Sequence, residues 1–389
     1  MKLADNTKKS NKKNNVLRFV FPSYWGNFVI ESSRTHMTIT DYTNEAIDLL
    51  KHLIATPSIS RDEKCAADVM QQCMESYGLT THRIKNNVWT IGPDYDSHRP
   101  TILLNAHIDT VKAVSSWTRD PFQPLVEDGK LFGLGSNDCG GGLCSLLQVF
   151  RFLTSKAQSY NLIYLASAEE EVSGKDGISL ALPELPSIDV AIVGEPTGMQ
   201  PAIAEKGLMV LDMTAHGKSG HAARNEGVNA IYEALPDIEW VRDYKFRNVS
   251  KYLGPVKMTV TVINAGTQHN VIPDECRMLI DVRTNEKYTN EEVFDIICRH
   301  VHSDLHAHSF RLQPSHISSD HPLVRRCVDM GMTPYGSPTL SDQALMSFPS
   351  FKLGPGESSR SHSADEFIRL SEIGDAVGKY IQLLDGAAV

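Results

Sequence analysis

The chain has 389 residues, 41 % hydrophobic and 22 % charged, the balance of a soluble globular protein long enough for two or three domains. A net charge of −9 lacks the basic surplus that phosphate backbones demand, which argues against nucleic acid and for a small-molecule partner. No stretch approaches the roughly 18 uninterrupted apolar residues of a membrane span, and the seven scattered cysteines form no CxxC pair, so a disulfide framework and a thiolate zinc site are both disfavoured and a reducing cytoplasm fits.

Residues 1–36 have their own texture: a Lys/Asn-rich opening, then an apolar run broken by Arg18, Pro22 and Asn27. They read as a dispensable extension ahead of a domain start at Met37 rather than as a signal peptide. Ala46, Leu49, Leu50, Leu53 and Ile54 recur at helical spacing, and Ser60 with Glu63 reads as a capping box opening a second helix that stops near Gly78. Short apolar runs then alternate with helical stretches: Thr101 to Ala106, Leu143 to Leu153, Asn161 to Ser167, Val190 to Gly194. This alternation predicts an α/β domain with a mixed, mostly parallel sheet covered by helices on both faces, over 37–204 and 315–389. Between them, 205–314 changes to strands of period 2 (Leu208 to Ala215, Val256 to Ile263, Cys276 to Val282) and two helices, the texture of an inserted α+β domain. A last helix is expected over Asp365 to Leu384, opened by a second capping box of Ser363 and Glu366.

The polar residues fall at the ends of the apolar runs. His107-Ile-Asp109 closes the first, and alternation lets Asp109 hold the far nitrogen of His107. Asp138 sits in a Gly-rich turn that opens a helix, where a dinucleotide fingerprint would need glycine. Glu169, Glu170 and Glu171 follow the strand ending at Ser167, as an exposed loop or as a group facing something positive. Glu195 follows Val193, and His362 borders the last helix. Ligands bind outside the carboxyl ends of strands in such sheets, so His107, Asp138, Glu170, Glu195 and His362 can converge there. Two histidines and three carboxylates suit a pair of Zn²⁺ or Co²⁺ ions, with Glu169 left free to take a proton.

These motifs (His107-Ile-Asp109-Thr-Val, Gly135-Ser-Asn-Asp138-Cys-Gly-Gly-Gly, Ala168-Glu-Glu-Glu171, Gly194-Glu195-Pro-Thr, Gly217-Lys-Ser-Gly-His221 and the late His362) resemble those of the M20 metallopeptidase and deacylase family, over essentially everything after Met37. Within it, Gly194 to Pro201, Gly227 to Ile231 and Leu353 to Gly356 look most like the acetylornithine deacetylase branch. The resemblance implies two zincs per subunit, replaceable by cobalt: Asp138 bridges, His107 and Glu195 complete one site, and Glu170 and His362 the other. It implies Glu169 as general base, a homodimer through the inserted lid domain with His221 reaching the partner's active site, and Arg283 and Asn270 on the substrate carboxylate. The implied reaction is hydrolysis of N-acetylornithine or a relative such as N-acetylcitrulline in arginine biosynthesis, in the cytoplasm. Alternatives are a succinyl-diaminopimelate desuccinylase, a dipeptidase, or a catalytically silent scaffold. The segment Ser337 to Leu345 departs from the deacetylase branch, which leaves the acyl group and the amine open.

Overall fold

Why the first sheet is parallel at its centre follows from its strands. Asn161–Ser167, Thr101–His107 and Val190–Val193 are continuous apolar runs buried at every position, as strands covered on both faces must be. A computed structural model describes residues 37–224 and 226–389, so the extension over 1–36 lies outside the described residues; Ile39–Val389 form one compact unit. The large sheet runs, in spatial order, Thr81–Ile84, Asn87–Ile91, Asn161–Ser167, Thr101–His107, Val190–Val193, Ser350–Lys352, Ala202–Glu205 and Ser315–His316, with Tyr335–Ser337 also paired to Ala202–Glu205. Its four central strands are parallel and its outer pairings are mostly antiparallel. The fold is therefore α/β with a mixed, mostly parallel sheet, as the alternating pattern predicts.

Helices Ile39–Ile54, Gly141–Thr154 and Leu370–Leu384 pack on one another over one face, where the Tyr164 hydroxyl donates to the Leu143 carbonyl at 3.0 Å. On the other face Leu103, Ile163, Leu165 and Ala191 pack with Trp89, Ile178 and Met346. The alternation of Leu103 with Leu104, and of Ile163 with Tyr164, feeds both cores at once.

From Gly207 a second, wholly antiparallel sheet follows, ordered Lys257–Ala265, Glu275–Thr284, Gly207–His216, Asp304–Ala307. Met209, Leu211, Met213, Ile280 and Val282 on its inner face meet Ala234 and Val241 of helix Ala230–Asp243 and Val293 and Ile297 of helix Asn290–Cys298. The chain rejoins the large sheet at Ser315.

Neither predicted capping box exists. The second helix begins at Lys64 with no side-chain cap, and Ser60 donates instead to Asp109 at 2.7 Å. The last helix begins at Leu370, after a short strand Phe367–Arg369, and Glu372 accepts the Arg369 N–H at 2.8 Å. The local S-x-x-E pattern is present twice, but Glu366 is taken by the distant N–H groups of Asn137 and Asp138, and Glu63 by the nearby Arg61 N–H together with the distant Glu169 N–H. Among the described residues no helix is long and apolar enough to cross a membrane.

Candidate metal centre

The carboxyl ends of three neighbouring strands deliver the site. Thr101–His107 ends in His107, and Val190–Val193 runs on into Glu195. Asn161–Ser167 runs on into the acidic triplet. Asp138 comes from the turn before helix Gly141–Thr154, and that helix is drawn onto the sheet by glycine: a Cβ on Gly142 would lie 1.8 Å from the Gly194 carbonyl oxygen. This backbone contact brings Asp138 and Glu195 to one place, and no other residue type permits it.

His107 is buried at the centre. Its Nε2 lies 3.3 Å from Asp138 Oδ1, 3.6 Å from Glu195 Oε1 and 4.0 Å from Glu170 Oε2. Asp138 turns its other oxygen, Oδ2, to His362 Nε2 at 3.5 Å. One carboxylate thus spans two imidazoles. The His362 ring also meets Glu171, at 2.9 Å to Oε2. The ligand atoms of His107, Asp138 and Glu171 lie within 4.8 Å of one another, as do those of His107, Glu195 and Cys139.

The structure brings the five residues expected to converge to one place, with Glu170 the farthest of the three carboxylates from His107 Nε2 at 4.0 Å. Glu169 takes a left-handed backbone conformation (φ 55°), and its side chain turns back over Gly174, where its Oε2 accepts the Asp176 N–H at 3.4 Å. Glu171, rather than Glu170, reaches His362. The strand's period of 2 ends at Ser167, so alternation cannot be extended through the turn that follows. Cys139 is buried, and its Sγ accepts the His107 N–H at 3.3 Å, a contact the sequence pattern did not foretell. Its position beside Asp138 was the available signal. The expected role of Asp109 is divided: His107 Nδ1 donates to the Asp109 backbone carbonyl at 2.9 Å, while the carboxylate lies 3.5 Å away and accepts the N–H groups of Glu170 and Glu171 at 3.0 and 3.2 Å.

Electrostatics mark the cluster as incomplete without cations. Burial pushes Glu195 up to about 8, with Asp138 adding to the push and His107 and Lys352 opposing it. Burial likewise drives Glu170 well above the carboxylate range. His107 is held well above its usual value: burial disfavours its charge, but Cys139, Asp109 and Asp138 outweigh that. Glu195 Oε1 is buried with no hydrogen-bond donor. A buried carboxylate oxygen left unpaired beside further carboxylates is costly unless a cation meets it. The donor set, imidazole nitrogens and carboxylate oxygens with Asp138 between the two histidines, fits metal ions of the zinc type.

His221, Asn270 and Arg283 belong to the second sheet and its loops, and the cluster is not where their observed bonds lead. The His221 ring is exposed and its Nδ1 accepts the Ala223 N–H at 3.1 Å. The Asn270 carbonyl accepts from Ala222, and Arg283 pairs bidentately with Asp281 at 2.9 and 3.0 Å.

Comparison with known proteins points to one family. Residues 103–385 match the model of Peptidase family M20/M25/M40. An acetylornithine deacetylase of Proteus mirabilis is 28 % identical over 364 residues, covering 84 % of this chain and 92 % of its own. A succinyl-diaminopimelate desuccinylase of Nitratiruptor is 28 % identical over 270 residues, covering 66 % and 73 %. Among solved structures, a dinuclear metal binding peptidase of Bacillus subtilis shares the fold with a TM-score of 0.69 at 17 % identity, covering 89 % of this chain and 98 % of its own. The chain belongs to Peptidase family M20/M25/M40 and is an amidohydrolase of that family.

Proposed function

We propose that the chain is a two-metal amidohydrolase that removes the acetyl group from N-acetylornithine or a close relative such as N-acetylcitrulline, as a step of arginine synthesis in the cytoplasm. The observation that carries this reading is the span of Asp138 between His107 and His362, with Glu195 beside the first imidazole and Glu171 beside the second. The full-length likeness to a deacetylase supports the acetyl substrate.

Two zinc ions would be held by His107, Asp138 and Glu195 and by His362, Asp138 and Glu171; cobalt is the natural substitute. When bound, they would polarise the substrate carbonyl and make a water acidic enough to attack it. Glu170, half-buried beside His107 with its side chain 11 % exposed, would take the proton of that water and pass it to the leaving amine. This moves the base from Glu169 to Glu170 and the ligand from Glu170 to Glu171. Asp109 fixes the His107 ring through its carbonyl. Residues 205–314 would form a lid and dimer domain, pairing through the exposed edge strand Lys257–Ala265, where Val262 and Ile263 face solvent. His221 of one protomer would then reach the other's site to stabilise the oxyanion, and Arg283 and Asn270 would hold the substrate carboxylate.

The test is amine release from N-acetylornithine, N-acetylcitrulline, their N-succinyl analogues and N-succinyl-diaminopimelate, with zinc-loaded and chelator-treated protein. Chelator-sensitive release from an N-acetyl substrate is expected. Release from N-succinyl-diaminopimelate alone would replace this reading with desuccinylation, which the second relative favours.

A further inference from the structure

Three successive N–H groups of the acidic triplet are each held by a buried carboxylate. Glu169 N–H donates to Glu63 Oε1 at 3.3 Å, Glu170 N–H to Asp109 Oδ1 at 3.0 Å and Glu171 N–H to Asp109 Oδ2 at 3.2 Å. Glu63 is anchored in turn by the Arg61 N–H at 2.5 Å and the Asn86 amide at 3.0 Å. The turn carrying Asp138 is built the same way: Glu366 Oε1 accepts the N–H groups of Asn137 at 2.8 Å and Asp138 at 3.0 Å. Glu63 is 0 % and Glu366 2 % exposed, and neither has a side-chain bond to the metal-facing groups.

Burying a carboxylate is costly, so its retention needs a return. Both loops lack a ladder of their own. Glu169 is left-handed, and Asp138 (φ −116°, ψ 99°) interrupts the helical turn around it. A long side chain ending in a carbonyl-type oxygen reaches these loops and accepts two N–H groups at once, which a methyl does not. We propose that Glu63 and Glu366 are positioning residues for the hydrolysis, each clamping by backbone N–H bonds one of the two loops that present metal-facing carboxylates, so that the site's spacing is set before metal arrives. This rests on the two-metal reading above. Their effect on chemistry is indirect, through Glu170, Glu171 and Asp138, where a misplacement of the order of an ångström is felt in rate.

The experiment uses the full chain and its variants Glu366→Ala, Glu366→Gln, Glu63→Ala and Glu63→Gln. Co²⁺ binding is followed by calorimetry and by the visible Co²⁺ spectrum, kcat and KM are measured on the substrate the parent hydrolyses, and hydrogen exchange is followed on metal-free protein. The alanine variants should lose about 10- to 100-fold in Co²⁺ affinity and in kcat, with KM nearly unchanged, as outer partners of metal ligands do. Exchange should quicken at Asn137 and Asp138 for Glu366→Ala and at Glu169 for Glu63→Ala. Glutamine, whose carbonyl oxygen accepts the same N–H groups, should restore most of each loss. Alanine variants with parental affinity, spectrum and kcat overturn the proposal, as does glutamine failing to rescue. Should alanine prevent folding, Glu366→Asp and Glu63→Asp decide: the shortened acid must lose affinity and kcat, and parental behaviour overturns the clamp. A parent that binds no Co²⁺ sinks the two-metal reading and this assignment with it, whereas a binding, active parent with unaltered variants sinks this assignment alone.

Discussion

The carboxyl end of the large sheet and the outer strand of the second sheet are both irregular in polarity, but they are completed differently. At the large sheet each N–H of the triplet is satisfied within the chain, and a carboxylate oxygen of the cluster, Glu195 Oε1, is what remains unpaired. At strand Lys257–Ala265 the side chains are simply exposed, with Val262 at 45 % and Ile263 at 52 %, along the edge of a sheet. The first region is a rigid frame with a deficit of positive charge, which suits small cations. The second is an edge with a surplus of apolar surface, which suits a second polypeptide.

Four changes would break or sharpen that contrast. The largest effect is expected from Glu170→Gln: kcat should fall by about 10²- to 10⁴-fold with metal still bound, while Glu169→Gln stays within a few-fold of the parent. A larger loss in Glu169→Gln than in Glu170→Gln would return the base to Glu169. Next is the frame itself. Lys352 Nζ, buried, lies 2.8 Å from Glu205 and donates to Thr339 at 3.1 Å, tying Ser350–Lys352 to the segment before Leu345. Lys352→Met strands the Glu205 charge and should cost about 3–5 kcal/mol in denaturant unfolding. A cost below about 1 kcal/mol would show that the pair adds no rigidity.

At the apolar edge, Ile263→Lys should leave folding stability within about 0.5 kcal/mol but halve the mass seen by light scattering and lower kcat, because His221 would no longer reach a partner. A parent already monomeric and fully active would remove the dimer from the scheme. The smallest effect is the pH response of metal-free protein. Glu195, ordinarily near 4.5, is held at about 8 in the fold, so between those values the folded state keeps a proton that the unfolded state has lost. His362, raised to about 9, mainly by its bond to Glu171, also favours the protonated folded state. Stability should fall as pH rises, through Glu195 between 4.5 and about 8 and through His362 between 6.5 and about 9. Melting of chelator-treated protein should drop across that window and the gain on adding Zn²⁺ should grow; a flat profile would contradict the crowded-carboxylate account.

Which residues were legible in the sequence follows from the range of the forces involved. The apolar runs and their period set the strand and helix order, and the polar residue at a run's end marked His107 and Glu195 while Asp138 and His362 were marked by the turns before expected helices, because burial and strand geometry are local signals that a pattern carries. The register of the triplet was not legible: whether Glu170 or Glu171 meets His362 depends on the left-handed turn at Glu169, outside any strand. Nor were Glu63 and Glu366, since S-x-x-E reads the same whether its acid caps its own helix or answers orphan N–H groups elsewhere. The sequence by itself determined an α/β frame with carboxylates and histidines at its strand ends. Only the tertiary structure decided which oxygen faces which imidazole, because that choice rests on the Gly142–Gly194 approach and on hydrogen bonds between residues far apart in the chain.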